Sequence, residues 1–234
     1  MNEAKNLPDL RQHLSTLDAA AGLRYLAEAF PGGVTFSSSL GKEDQVITHL
    51  IAAENLPIHI FSLDTGRLFP ETLDLLARTT ARYSSPIEVI YPPQEPLERW
   101  VRTNGINGFY ESIEKRKGCC ALRKVEGLKR GLAGKQVWIT GLRAEQSENR
   151  ASMPLLEWDS NFHLFKYNPL LHWTDADVDA FIEKEAVPYN PLHDKGYPSI
   201  GCAPCTRAIQ PGEDSRAGRW WWESSHKECG LHVK

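Results

Sequence analysis

The cysteines are the residues of this chain whose spacing points most directly to chemistry. The 234-residue sequence contains five of them. Cys119 and Cys120 are adjacent, Cys202 and Cys205 form a C-x-x-C, and Cys229 stands alone near the end. Thiolates are soft ligands that select iron–sulfur clusters, zinc or copper(I). The grouping therefore predicts a four-thiolate metal site and a separate reactive thiol.

The adjacent pair bears on which metal the four thiolates hold. Structural zinc sites more often use two spaced cysteine pairs, and adjacent cysteines do not easily reach one tetrahedral ion together. A cubane presents separate iron corners, so the pattern favours a 4Fe–4S cluster. One alternative stays open, a non-enzymatic zinc-bound interaction or redox-sensing domain that uses Trp220–Trp222 as a docking patch.

Two polar segments have the composition of anion sites. Ser37–Gly41 follows a predicted strand and precedes a predicted helix, which directs backbone N–H groups toward an anion. It matches neither the Walker-type loop nor the dinucleotide fingerprint. The second segment, residues 141–150, carries Arg143 and Arg150, whose planar guanidinium groups suit phosphate or sulfate oxygens. Both segments predict an anionic ligand.

Basic residues also accompany the cysteines. Lys124 follows Cys120 by four residues, so on a helix the two side chains share one face. Cys229 has Lys227 and His232 nearby, a setting that can lower the pKa of a thiol. A positive field is therefore predicted at both thiol sites.

The elements that must position these residues alternate along the chain. Strands are predicted over 34–36, 58–63, 87–91 and 137–140, and helices over 7–30 (one or two), 43–55, 70–82 and 174–184. This order predicts an α/β fold, a mainly parallel twisted sheet with helices on both faces. Ligands bind beyond the carboxyl ends of such strands. We expect an α/β domain over 1–214, with the iron–sulfur site, and a mobile catalytic tail over 215–234.

Composition limits the partners. Lys and Arg total 27 against 30 Asp and Glu, a net charge of −3, so nothing indicates nucleic acid or an anionic membrane. The sequence has no apolar run of about 20 residues and no secretory signal at its start. We therefore expect a cytoplasmic protein, where cysteine clusters more often bind metal or do chemistry than form disulfides.

Seven motifs together resemble one known family. They are SSSLGKEDQV (37–46), LDTGRLFPET (63–72), KGCCALRKVE (117–126), GLRAEQSENRA (141–151), GCAPCTR (201–207), GRWWWE (218–223) and KECGLH (227–232). The chain resembles the assimilatory adenylylsulfate (APS) reductases, within the phosphoadenylylsulfate (PAPS) reductase family. The resemblance implies an adenine-nucleotide alpha-hydrolase-like fold.

The resemblance also implies roles for individual residues. It implies one 4Fe–4S cluster on Cys119, Cys120, Cys202 and Cys205, and Cys229 as the nucleophile. Lys124, Arg216 and Arg219 would surround the sulfate and phosphate, and His232 is grouped with them without an assigned role. The nucleotide pocket would be lined by Ser38, Asp44, Leu63, Gly141 and Arg150.

The implied reaction is the reduction of APS to sulfite and AMP in sulfate assimilation, which leads to cysteine biosynthesis. Cys229 would form an S-sulfonate, which reduced thioredoxin, or a glutaredoxin-like donor, would then attack. Family members that use PAPS commonly lack the four clustered cysteines, so their presence favours APS. The alternative is an ATP-using PP-loop sulfur- or adenylyl-transferase, similar to a tRNA thiolase. A homo-oligomer is left open.

Overall fold

A computed structural model describes residues 7–84, 86–147 and 150–223 of the chain. The helices are α1 (Leu7–Leu14), α2 (Ala19–Ala29), α3 (Lys42–Ala53), α4 (Pro70–Tyr83), α5 (Gln94–Asn104), α6 (Ile113–Cys120), α7 (Glu126–Leu132) and α8 (Asp175–Lys184). A π-helical turn, Ala121–Val125, joins α6 to α7. The strands are β1 (Val34–Ser38), β2 (His59–Leu63), β3 (Ile87–Ile90), β4 (Val137–Ile139), β5 (Leu156–Asp159) and β6 (Leu164–Tyr167).

The strands form one six-stranded sheet in the order β3-β2-β1-β4-β6-β5. All neighbours run parallel except β5, which pairs antiparallel with β6. Strands β2 and β3 lie on one side of β1, and β4 lies on the other side. The direction in which strands are added therefore reverses between β3 and β4. In open sheets, such a reversal leaves a crevice at the carboxyl ends of the two central strands, where ligands bind.

Both faces of the sheet are buried. The side chains of neighbouring residues on one strand pack into two different hydrophobic clusters, one on each face of the sheet. On β4, Val137 and Ile139 pack in the cluster that includes α2, α3 and α8, whereas Trp138 packs with Leu128 and Leu132 of α7. Successive strand side chains point to opposite faces, so a sheet covered on both sides needs apolar residues at nearly every position. This explains the unbroken apolar sequence of β4, Val137–Ile139.

The predicted α/β class and the four predicted strands are confirmed, with end points that differ by a residue or two. Helix α8 begins as its sequence indicates, because Thr174 and Asp177 form reciprocal hydrogen bonds in a capping box. The β5–β6 hairpin was not predicted. Its strands are short, and β6 carries a lysine, Lys166, that is only 3% exposed and lies against the Trp138 ring.

The segment after α8 is irregular, as predicted from its composition. It contains short 3₁₀ turns at His193–Lys195 and Ala203–Cys205, and a single β-bridge between Thr206 and Arg219. Residues 215–223 pack against the body, and Trp220 is 1% exposed. Within the described ranges, no helix combines the length and the apolar character needed to cross a membrane.

Candidate active site

A cleft of about 610 Å³ opens at the carboxyl ends of β1, β2 and β4, where the sheet order reverses. It gathers every residue that the family resemblance assigned to the nucleotide, the sulfate or the phosphate and that lies in the described ranges. These are Ser38, Asp44, Leu63, Lys124, Gly141, Arg150, Arg216 and Arg219. The fold thus brings together residues that are separated by up to 181 positions in the sequence.

The loop Ser37–Gly41 enters the cleft between β1 and α3. Gly41 is the N-cap of α3 and has no side chain to accept the free N–H groups of the first turn. Leu40 has a φ of 63°, a left-handed conformation uncommon for a leucine. Ser38 Oγ accepts a hydrogen bond from the Leu40 backbone N–H at 3.2 Å. The bend leaves the N-terminus of α3 facing the cleft, which favours an anion there.

Asp44 holds this loop from the first turn of α3. Its Oδ2 accepts hydrogen bonds from the Ser39 N–H at 2.6 Å and from Ser39 Oγ at 2.7 Å. Burial raises the pKa of Asp44 from 3.8 to about 6, although the bonds from Ser39 oppose this rise. Gly141 makes room for the carboxylate, because a Cβ at position 141 would lie 2.2 Å from Asp44 Oδ1. A side chain at position 141 would therefore displace Asp44.

Arg143 differs from the expectation that both arginines of the 141–150 segment face an anion. Its guanidinium pairs with Glu43 at 2.9 Å, with Glu145 at 3.2 Å and with Asp175. The side chain is 3% exposed. Burial acts to lower the pKa of Arg143, but the acidic neighbours outweigh it and the pKa is raised. Arg143 therefore acts as a structural tie among α3, the 144–146 turn and α8.

Arg216 and Arg219 reach the cleft from the opposite wall. Arg219 is 7% exposed, and its Nη1 donates to Ser199 Oγ at 3.1 Å. The guanidinium occupies space that a side chain at position 201 would fill, since a Cβ on Gly201 would lie 2.3 Å from Arg219 Nη2. Gly201 directly precedes Cys202. The segment that carries the second cysteine pair therefore also lines the anion cleft and leaves room there for Arg219.

Next to the cleft lies a small cavity whose wall includes all four clustered cysteines, Cys119, Cys120, Cys202 and Cys205. The rest of its lining is basic or apolar, with Arg67, Arg116, Arg123, Lys124, Phe109 and Pro204. The four cysteines are free thiols. Lys124 lines this cavity and the cleft alike, so one cation borders both sites. Cys120 and Lys124 line this cavity together.

The residues of this cavity suit an iron–sulfur group. Burial raises the pKa of Cys205 to about 12, and the neighbouring Cys202 adds to the rise. Thiolates in such a place need positive charge, which iron and the surrounding arginines would supply. Thr65 Oγ1 lies 3.2 Å from Cys202 Sγ, within hydrogen-bond distance. Among the described residues, no three Cys, His, Asp or Glu side chains converge with the spacing of a single metal ion.

Three residues of the site, Thr65, Arg67 and Arg123, lie within the quoted motifs but received no individual role from the sequence. Arg67 stacks on Phe109 at 5.4 Å and its carbonyl accepts from the Ala203 N–H. Arg123 is 6% exposed and donates to the Thr65 carbonyl at 2.6 Å. Isolated arginines and threonines are common on protein surfaces, so only the fold reveals that they enclose the cysteines. Two predicted residues, Cys229 and His232, lie outside the described residues.

The sheet order, the serine loop and the cleft define an α/β protein with the adenine-nucleotide alpha-hydrolase-like fold. The family model of the phosphoadenosine phosphosulfate reductase domain matches residues 33–208. The chain belongs to this family, as the sequence motifs indicated.

Curated relatives agree with this assignment. The chain is 52% identical over 227 residues to the adenosine 5'-phosphosulfate reductase of Burkholderia cepacia, covering 97% of this chain and 90% of that protein. It is 55% identical over 200 residues to the protein of the same name from Allochromatium vinosum, covering 85% and 78%. Among solved structures, phosphoadenylyl-sulfate reductase from Candida auris, in a phosphate complex, superposes with a TM-score of 0.75 at 28% identity and covers 88% of this chain and 97% of that one.

These relatives confirm that the chain is an enzyme, an oxidoreductase that acts on a sulfur group. They do not favour the alternative of an ATP-using sulfur- or adenylyl-transferase. The location of the four cysteines against one wall is an independent structural finding.

Proposed function

We propose that this enzyme reduces APS to sulfite and AMP, with Cys229 as nucleophile and a dithiol protein of the thioredoxin class as reductant. The observation that carries the proposal is the position of Lys124, which borders both the anion cleft and the four-cysteine cavity. The names of the relatives identify the substrate class that such a cleft would take.

The cleft would hold APS through contacts that its residues are placed to make. The N-terminus of α3 and the serine loop favour the phosphate–sulfate end. Lys124, Arg216 and Arg219 bring positive charge to that end from the other walls. Such charge also stabilises the AMP phosphate as it leaves, because electrostatic stabilisation is strongest where negative charge develops.

The covalent step would transfer a sulfonate group to the chain. The Cys229 thiolate attacks the sulfur of APS, the bond between sulfur and the bridging phosphate oxygen breaks, and AMP departs with the bonding electrons. The product is a Cys229 S-sulfonate. A thiolate of reduced thioredoxin, or of a glutaredoxin-like donor, then attacks Cys229 Sγ and releases sulfite. The second thiol of the donor resolves the mixed disulfide, so both electrons come from the dithiol.

We expect one 4Fe–4S cluster on Cys119, Cys120, Cys202 and Cys205. The wall of the cavity that would hold it also includes Arg67, Arg116, Arg123 and Lys124. When bound, the cluster would supply structure and an electrostatic field beside the sulfate. Lys124 is the residue through which that field would reach the substrate. No electron from the cluster is needed, because the dithiol supplies two.

The division into an α/β domain over 1–214 and a mobile catalytic tail over 215–234 belongs to the same proposal. Residues 215–223 of that tail form part of the cleft wall and of the packing around the cysteines. Cys229, the proposed nucleophile, follows Glu223 by six residues in the sequence. A cytoplasmic location fits thiols that must stay reduced and stays a prediction.

The direct test is an anaerobic assay of the purified enzyme with APS, thioredoxin and a thioredoxin-reducing system. We expect equal amounts of sulfite and AMP, and a Cys229→Ser variant that binds APS and keeps its iron and sulfide but releases no sulfite. Cys119→Ser is the matched thiol control, because it should lose iron. Absence of sulfite from the wild-type enzyme with its iron in place would refute the proposal.

Two further arms of the assay separate the alternatives. Faster turnover of APS than of PAPS on the same sample is expected, since the clustered cysteines favour APS. Consumption of ATP, or tRNA that copurifies with the enzyme, would instead support the PP-loop transferase. Zinc without iron or sulfide would support the non-enzymatic domain with a Trp220–Trp222 docking patch.

A further inference from the structure

A buried ion pair joins the cysteine-bearing helix to the last described residue of the chain. Arg116, at the centre of α6, donates from Nε to Glu223 Oε1 at 2.9 Å and from Nη2 to Glu223 Oε2 at 2.8 Å. Both side chains are 3% exposed. Arg116 stands three and four residues before the first cysteine pair, and Glu223 six residues before Cys229. The pair thus links the cavity wall to the start of the segment that carries the proposed nucleophile.

The same arginine reaches two other groups. Its guanidinium lies over the Trp220 ring at 4.6 Å, and the guanidinium of Arg219 lies over that ring at 4.8 Å. Trp220 therefore connects an arginine of the cysteine cavity to an arginine of the anion cleft. The Trp220 backbone N–H also donates to the Cys205 carbonyl at 3.1 Å. Displacing Arg116 would disturb all of these contacts together.

One nitrogen of Arg116 is not used by these contacts. Nη1 is buried and has no hydrogen-bond partner of ordinary length within the described ranges. Arg116 lines the cavity with the cysteines. Its guanidinium interacts with Glu223 and with Cys120. A buried, charged N–H without an acceptor is costly, which indicates a partner in the cavity itself.

Burial of this pair is not explained by stability alone. Removing two charges from water costs about as much as their attraction returns, and apolar residues of similar volume often serve equally well. A retained pair whose arginine lines a thiol-lined cavity and keeps an unsatisfied N–H indicates a role in positioning instead.

We propose that Arg116 and Glu223 are positioning residues, which tie the start of the catalytic segment to the cysteine-bearing helix while Arg116 Nη1 donates to a sulfur of the group held by the four cysteines. This inference rests on the proposed function for its kinetic consequence. Its spectroscopic consequence is independent of APS reduction. Through the pair, the group in the cavity is mechanically coupled to Glu223, six residues before Cys229.

The test uses the full-length enzyme with its iron and sulfide in place. The double variant Arg116→Met with Glu223→Leu removes both charges together, so no unpaired buried charge is left to unfold the protein. We expect its thermal unfolding to resemble that of the wild type. Its kcat for sulfite release should fall by about 10- to 100-fold, the value of a charge-assisted hydrogen bond, while the KM for APS changes by less than about twofold.

Two readouts do not depend on turnover. The visible absorption and circular dichroism of the cluster should shift in the double variant, because a sulfur loses its hydrogen bond. The rate at which iodoacetamide alkylates Cys229 with AMP bound, which carries no sulfonate to consume the thiol, should change by a similar factor to kcat. If the wild type does not reduce APS, the spectral shift still tests the positioning role.

Glu213→Gln is the matched control, because Glu213 makes a comparable two-pronged contact with Arg207 at 2.8 Å but on a side chain that is 33% exposed. It should leave kcat and the cluster spectrum unchanged. Arg116→Lys keeps the positive charge but loses the two-pronged guanidinium contact with Glu223. Its kcat should lie between those of the wild type and the double variant. A folded double variant with wild-type kcat and an unshifted cluster spectrum would overturn the proposal.

Discussion

Replacing Asp44 with asparagine measures how much the ionisation of one buried carboxyl group of the cleft contributes to the free energy of unfolding. Asp44 is 6% exposed, and its pKa is raised from 3.8 to about 6 chiefly because burial disfavours the charged form. The two bonds from Ser39 favour the carboxylate but do not restore the ordinary value. Asparagine has nearly the same shape and does not ionise, so it removes the titration while leaving the loop contacts largely in place.

The sign follows from proton binding in the two states. Below pH 3.8 the carboxyl is protonated in both the folded and the unfolded chain, and folding is unaffected. Between pH 3.8 and about 6 the unfolded chain has lost the proton that the folded enzyme retains, so the free energy of unfolding falls as pH rises. Above pH 6 both states are ionised. The accumulated loss in the wild type is about 3 kcal/mol, at about 1.4 kcal/mol for each pKa unit.

The measurement is the free energy of unfolding in urea, followed by tryptophan fluorescence at several values between pH 4 and 7. The stability of Asp44→Asn relative to the wild type should rise by about 3 kcal/mol across this range, whatever constant offset the lost bond to Ser39 adds. Asp9→Asn, at an exposed site in the first turn of α1, controls for the change in net charge. A stability difference that does not vary with pH would refute the assignment of a raised pKa to Asp44.

Three further substitutions test the geometry of the cleft. Gly141→Ala places a methyl group against Asp44 Oδ1, so unfolding free energy should fall by about 1–3 kcal/mol; an unchanged melting temperature would contradict the close approach. Gly201→Ala would displace the flexible end of the Arg219 side chain, so little stability should be lost. Calorimetry should show that AMP binds about tenfold more weakly to this variant. An unaltered affinity for AMP would count against Arg219 as an anion contact. Arg143→Met leaves its carboxylate partners without a cation and should cost about 2 kcal/mol in urea unfolding, less than a fully buried pair because Asp175 is exposed. A midpoint equal to that of the wild type would show that the Arg143 network contributes nothing.

Strand β4 could be predicted from the sequence because its residues obey one rule throughout. Val137, Trp138 and Ile139 are all apolar, as a strand buried on both faces requires. Strand β6 breaks this rule, since Lys166 is buried by laying its stem along Trp138 and pairing with Glu157 at 3.6 Å. Such a compensation depends on neighbours from other strands and leaves no local signal. The antiparallel edge of the sheet was therefore found only in the structure.

The site could be predicted wherever a residue type and its spacing indicate one kind of chemistry. Paired cysteines and a serine loop do so, and the structure gathers them as expected. An arginine does not, because the same side chain binds an anion or ties carboxylates together. Arg150 and Arg143 stand in one motif, yet the latter is enclosed by Glu43, Glu145 and Asp175. Only tertiary partners distinguish the two roles.

The turn between α6 and α7 shows how the backbone joins two sites into one. Residues 121–125 form a π-helical turn directly after Cys119 and Cys120, and Arg123 and Lys124 lie within it. All four side chains line the same cavity, and Lys124 also lines the cleft. Single π-turns within α-helices are uncommon and occur frequently at functional sites. A cation held there borders the four cysteines on one side and the cleft on the other, so the two sites share one positive charge. The wider turn is the local feature that makes this shared position possible.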